Sequence, residues 1–154
     1  MRLSLLAAAS LLAALPLASY ARDSEAVDAA LESRQGYFTM LNVNMGTLAG
    51  MARGTVEYDE ATARQAGDNL QALGAYDVSV HFLPGTSNTD LAGRTQARAI
   101  IWENPDDFAA KAAALREATA GAGEAVASGQ AAIGPVIGAI GGTCKACHDN
   151  YRSN

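Results

Sequence analysis

The chain has 154 residues, 11 lysines and arginines against 16 aspartates and glutamates, and a formal net charge of −5. That balance argues against nucleic acid and against anionic membrane surfaces as partners. The length suits one domain with a real core, and a rich alanine content with 6% aromatic residues favours helices over strands.

Residues 1–21 read as a cleaved export signal, with residues 22–154 as the mature domain. Arg2 supplies a positive start, Leu3 to Leu17 an apolar run too short to span a bilayer comfortably, and Ser19-Tyr20-Ala21 a small-residue cleavage site. Export carries the mature chain across a membrane and leaves it free of that membrane after processing.

A first helix is expected from about Ser24 to Met51. Steps of four and three residues from Val27 give Val27, Leu31, Arg34, Phe38, Leu41, Met45, Leu48 and Ala52, a seam with the heptad spacing of a bundle helix. Arg34 interrupts that seam, with Gln35 beside it. A cation on a core-facing stripe either snorkels to the surface or meets an anion brought by a bound group.

Asp59 is the expected cap of a second helix, with Ala66, Leu70 and Leu73 facing inward. The pattern continues weakly past Gly74 through Tyr76 and Val80 and stops at Pro84-Gly85, with His81 a surface or loop histidine. Residues 84–103 read as a long loop tethered by Ala99-Ile100-Ile101-Trp102. Asn104-Pro105-Asp106-Asp107 then opens a third helix. Its stripe runs Phe108, Ala112, Leu115, Thr119, Ala122, Val126, and Ser128-Gly129 closes it; Gly121 and Gly123 permit close helix approach. The last helix begins near Gln130 and aligns Ile133, Ile137, Ile140, Cys144, Cys147 and Tyr151. The pattern is all-α: an antiparallel four-helix bundle with a long loop between the second and third helices.

Near the end stands Cys144-Lys145-Ala146-Cys147-His148, a C-x-x-C-H sequence. Two thiols three residues apart share a helix face and can each bond one vinyl group of a porphyrin, and the adjacent imidazole can reach the iron. Cys144 and Cys147 are therefore read as the covalent anchors of one haem c and His148 as its axial iron ligand. A redox dithiol would sit at a helix N-terminus after a strand, and a zinc site would need four ligands from a chain holding 2 cysteines and 2 histidines.

With these residues the mature sequence resembles cytochrome c′, the class II c-type cytochromes. The resemblance is carried by Arg34-Gln35, by Pro84-Gly85-Thr86 with Thr89-Asp90, by Trp102-Glu103-Asn104, and by Cys144 through Arg152. It implies that Arg34, with Gln35, lies near a haem propionate, that Thr89 and Asp90 lie by the haem edge, and that Arg152 stands beside His148. It also implies that the residue covering the other iron face is Phe38, four after Arg34. Low-spin relatives have methionine there; Phe38 offers no lone pair, so the iron should be five-coordinate, high-spin and open to NO or CO. Met40 and Met45 are read as surface or core residues. The alternative is a periplasmic electron carrier with an unknown redox partner; an enzyme is not expected. The resemblance further implies a homodimer through the first two helices, where Met40 and Val43 lie outside the inner seam.

Overall fold

In a computed structural model the described residues are 15–153, with side chains from Ser24 onward. Residues 1–14 of the expected export segment lie outside the described residues.

The chain forms α1 (Leu15–Ala52), α2 (Glu60–Ala75), a 3₁₀ turn (Val78–His81), α3 (Ile100–Glu103), α4 (Pro105–Thr119), α5 (Ala122–Ala127) and α6 (Gln130–Tyr151). Among the described residues no strand forms; Ala97 and Arg152 make one isolated antiparallel bridge. α1 packs against α2 and α6, and α4 with α5 packs against the same two helices, giving a four-helix bundle. Leu48, Leu70, Val126, Ile133 and Ile140 are fully buried along its axis. Each such side chain contributes about 1.5–3 kcal/mol of hydrophobic stabilisation.

Local chemistry sets the helix ends. The Asp59 carboxylate accepts the Thr62 N–H at 2.7 Å, the expected cap of α2. Contrary to the weak continuation expected through Val80, α2 stops at Ala75. The Asp77 carboxylate accepts the Ser79 N–H at 3.0 Å and its hydroxyl at 2.5 Å, offering the backbone a 3₁₀ turn instead. At α4, Pro105 takes the first helical position and Asp106 and Asp107 the first turn, whereas the Asn104 side chain makes no cap bond.

The expected third helix is two helices. Gly121 adopts φ +70°, its N–H donates to Gln71 Oε1 at 2.7 Å, and α5 restarts at Ala122. The kink brings the backbone of Gly123 onto α2: a Cβ added to Gly67 would lie 2.6 Å from the Gly123 Cα and N. Close approach through small residues thus replaces interdigitated side chains at this end.

The inner face of α1 also differs from the expected seam, with Met51 buried at its end in place of Ala52. Leu31, Arg34, Leu41 and Leu48 are buried, but Tyr37 (4% exposed) takes the core position that periodicity gave to Phe38 (42% exposed). The reason lies in the bundle, which is not closed around Phe38.

Candidate haem site

Where α1, the long loop, α4 and α6 diverge, they enclose a cavity of about 1150 Å³. Small residues make the room: Ala112 of α4 and Gly141 of α6 line it, and a Cβ added to Gly141 would meet nothing within 4 Å. Tyr37, Phe38 and Met45 form the α1 wall; Cys144, Cys147 and His148 form the α6 wall.

The thiols of Cys144 and Cys147 are half-buried and free. Burial pushes both thiols up from their ordinary value, and Cys144 adds to the rise at Cys147. A reactive dithiol needs the opposite shift. Among the described residues no group of three histidine, cysteine or acidic side chains is arranged to hold a metal ion, which leaves a zinc reading without a ligand set. What the pair does have is a cavity against it and an imidazole one residue away. Desolvation lowers the His148 pKa, and the adjacent Arg152 lowers it further. Both favour the neutral imidazole, the form that ligates iron.

The strongest test of fit is Arg34. It is 2% exposed and lines the cavity. Its guanidinium donates to Thr86 Oγ1 at 2.9 Å, to the Thr86 carbonyl at 2.8 Å and to Thr95 Oγ1 at 2.7 Å, and lies 4.9 Å above the Phe82 ring. These partners orient it, but none is a carboxylate. Desolvation lowers its pKa. A buried cation with donors satisfied and charge uncompensated suits an anionic group inside the cavity. Haem, with two carboxylates on a flat apolar disc, meets that requirement, the paired thiols and the imidazole together.

The other residues singled out in the sequence are placed as follows. Gln35 lines the cavity and donates to the Arg94 carbonyl at 2.8 Å. Arg152 lines it too, held by its Nε bond to Gln96 Oε1 at 2.6 Å. His148 and Arg152 also line a surface pocket of about 750 Å³ with Gln96 and Arg98. Thr89 and Asp90 are not among the lining residues. The Asp90 carboxylate accepts the Ser87 N–H at 3.1 Å and hydroxyl at 2.6 Å, which also holds it below the usual carboxylate range. Thr89 shares a 2.7 Å hydroxyl contact with the same serine. Their geometry fixes the turn that presents Thr86 to Arg34, one step back from the cavity. Phe38 lines the cavity with its ring edge-to-face on Tyr37 at 5.1 Å, while the Tyr37 hydroxyl is pinned to the Leu73 carbonyl at 3.1 Å. Met45 lines the cavity, partly buried, whereas Met40 is 51% exposed.

Several supports join residues far apart in the sequence. Tyr151 donates to Asp107 Oδ2 at 2.5 Å, tying α6 to α4, and that bond raises the phenol to about 12. Trp102 Nε1 donates to the Phe82 carbonyl at 3.0 Å. The loop is clipped to the C-terminus by Arg98 N–H to the Tyr151 carbonyl at 2.9 Å and Ser153 N–H to the Gln96 carbonyl at 2.8 Å. Thr95, which shares Arg34 with Thr86, had no local pattern to announce it.

Comparison with known proteins gives a consistent answer. The family model for Cytochrome C′ matches residues 29–152. The cytochrome c′ of Cereibacter sphaeroides is 44% identical over 144 residues, 94% of each chain. The solved cytochrome c′ from Rhodobacter Spheriodes superposes with a TM-score of 0.77 at 41% identity, covering 83% of this chain and 98% of that one. A nitric oxide complex of a variant cytochrome c prime from Alcaligenes xylosoxidans gives 0.69 at 28% identity, covering 83% and 97%. The chain belongs to the cytochrome c′ family, the haem proteins that carry covalently attached haem c.

Proposed function

We propose that this protein is a periplasmic haem protein whose iron takes one protein ligand, His148, and keeps its other face for a small neutral diatomic, NO or CO. The haem supplies an iron atom able to accept a second axial ligand. The protein supplies the rest. Cys144 and Cys147 fix the ring covalently, His148 ligates, and Arg34 compensates a carboxylate. Phe38 carries the proposal: it stands on the α1 wall of the cavity and has no lone pair to offer iron. An apolar ring also gives no hydrogen bond to a bound ligand, which disfavours dioxygen relative to NO and CO. The nitric oxide complex of the Alcaligenes xylosoxidans relative supports the same reading.

Location and assembly follow the same line. The Arg2-to-Ala21 signal pattern supports export. Among the described residues no helix is long and apolar enough to cross a membrane. Met40 and Val43, 51% and 60% exposed on the outer face of α1, supply apolar surface for a homodimer.

Electron transfer with a protein partner is the second reading. What favours it is the surface pocket at His148, where Arg98 and Arg152 offer cations to an acidic partner. Absorption spectra of the purified ferric and ferrous protein, with and without NO and CO, separate the two. High-spin bands that shift on adding gas are expected. Low-spin bands indifferent to CO would move the protein to the electron carriers.

A further inference from the structure

Three tyrosines line the cavity, and they differ in what faces the phenolic hydrogen. Tyr37 donates to the Leu73 backbone carbonyl at 3.1 Å, an acceptor that cannot take up a proton. Tyr151 donates to the Asp107 carboxylate at 2.5 Å. Tyr76 lies 2.6 Å from Nε2 of His81, and the two rings stack with centroids 5.8 Å and planes 19° apart. The phenol donates when His81 is the neutral tautomer protonated at Nδ1.

Tyr76 also has a path inward and a face outward. Its ring is 5.9 Å from that of Tyr37, which is 5.1 Å from Phe38, so three rings run along the α1 wall of the cavity. Tyr76 itself is 48% exposed, at the C-terminal cap of α2. Gas binding uses neither the phenol nor His81, which is not among the lining residues.

We propose that Tyr76, with His81 as its proton acceptor, is the residue oxidised when the haem of this protein meets hydrogen peroxide. At the haem that Cys144, Cys147 and His148 would hold, peroxide would break its O–O bond: one oxygen would leave as water with both peroxide hydrogens, the other would stay with the haem, and of the two electrons required the haem would supply one and Tyr76 the other. As Tyr76 loses its electron, the phenolic proton moves to Nε2 of His81. The products are a neutral tyrosyl radical and an imidazolium hydrogen-bonded to it. A phenol that loses an electron becomes a strong acid, so a base already at hydrogen-bond distance decides which tyrosine carries the radical. Tyr76 pairs a facing ring nitrogen with a 48% exposed ring, whereas Tyr151 faces a carboxylate and is 5% exposed, which selects Tyr76 over Tyr151. The Leu73 carbonyl leaves Tyr37 as a bridge. The exposure of Tyr76 then lets a soluble reductant quench the radical before it damages the haem or the thioether links. This role is independent of which gas the iron takes.

The experiment is electron paramagnetic resonance of the ferric holoprotein, frozen within milliseconds of mixing with hydrogen peroxide, alongside Tyr76→Phe, Tyr151→Phe and His81→Gln. The resting absorption spectrum of each variant reports that it is folded and loaded. A tyrosyl signal is expected that falls at least about fivefold in Tyr76→Phe and persists in Tyr151→Phe. His81→Gln should lower its yield and shift its g-tensor towards a less strongly hydrogen-bonded radical. Absence of any tyrosyl signal, a signal unchanged in Tyr76→Phe, or one lost only in Tyr151→Phe would each overturn the proposal. So would a His81→Gln signal identical in yield and g-tensor to the parent's.

Discussion

The two ends of the bundle are built by opposite rules. At the end where α2 meets α5, Ala63, Ala66, Gly67, Gly123 and Val126 bring the backbones together with no space between. At the other end α1, α4 and α6 diverge around about 1150 Å³, and polar bonds from a loop hold the walls in place. One end is stable because it is filled. The other needs a bound group to be filled, and its own residues hold the shape while leaving the space. The cavity therefore follows from side-chain size at named positions, Ala112 and Gly141 above all.

Leu70→Ala is expected to give the largest effect. Leu70 is fully buried in the core, and the cavity left behind should cost about 2–5 kcal/mol in denaturant melts of the holoprotein. A loss under 1 kcal/mol would mean that the bundle collapses around the site and that the filled region is less rigid than described. Gly67→Ala comes next. Its new Cβ meets the Gly123 backbone at 2.6 Å, so overpacking of about 1–3 kcal/mol is expected despite the better helix propensity of alanine. Gly141→Ala, at the open end, is the matched control. Its Cβ meets no protein atom within 4 Å, so the apoprotein should show no overpacking loss and gain about 0.5–1 kcal/mol from the helix propensity of alanine.

Arg34→Leu probes the polar scaffold. It removes three hydrogen bonds to Thr86 and Thr95 and the charge proposed to compensate a haem carboxylate. We expect a loss of about 1–3 kcal/mol, with faster amide exchange over residues 84–98 than in α2. Equal effects on both regions would show that the loop is not organised by Arg34. The smallest expected effect concerns Asp90. Hydrogen bonds from Ser87 hold its folded-state pKa below the ordinary value. Its contribution to stability is therefore present above the unfolded carboxylate range and is lost as pH falls through the lower folded value. Asp90→Asn should flatten the acid limb of the stability curve below the unfolded carboxylate range. An unchanged limb would contradict the assignment.

The ease of reading this molecule from its sequence tracks the range of its interactions. The C-x-x-C-H helix, the Asp59 cap and the buried Ile133–Ile140 stripe are local patterns, and they stand where periodicity puts them. The break at Gly121 was harder. A glycine pair inside a helical stripe is only a weakened helix until the opposite glycine, Gly67, is known to lie against it. Arg34 was legible as an anomaly on an apolar seam, but Thr86 and Thr95 lie 52 and 61 residues away. Thr89 and Asp90 marked the right turn, yet their side chains face Ser87. The exchange of Tyr37 for Phe38 in the core had no sequence signal, because a step of three from Arg34 reaches Tyr37, a step of four reaches Phe38, and both lead on to Leu41. It depends on the cavity, which is a property of four helices at once.

The central claim is that Phe38 screens the open face of the iron. The rate of CO binding to the ferrous protein, measured by stopped flow or flash photolysis in the parent and in Phe38→Ala, tests it most directly. If the ring is the screen, Phe38→Ala should bind CO at least about tenfold faster, equivalent to about 1.4 kcal/mol of barrier. Melting should change little, because Phe38 is 42% exposed. An unchanged rate in a folded, haem-loaded Phe38→Ala protein would contradict the claim and place the control of access elsewhere on the cavity wall.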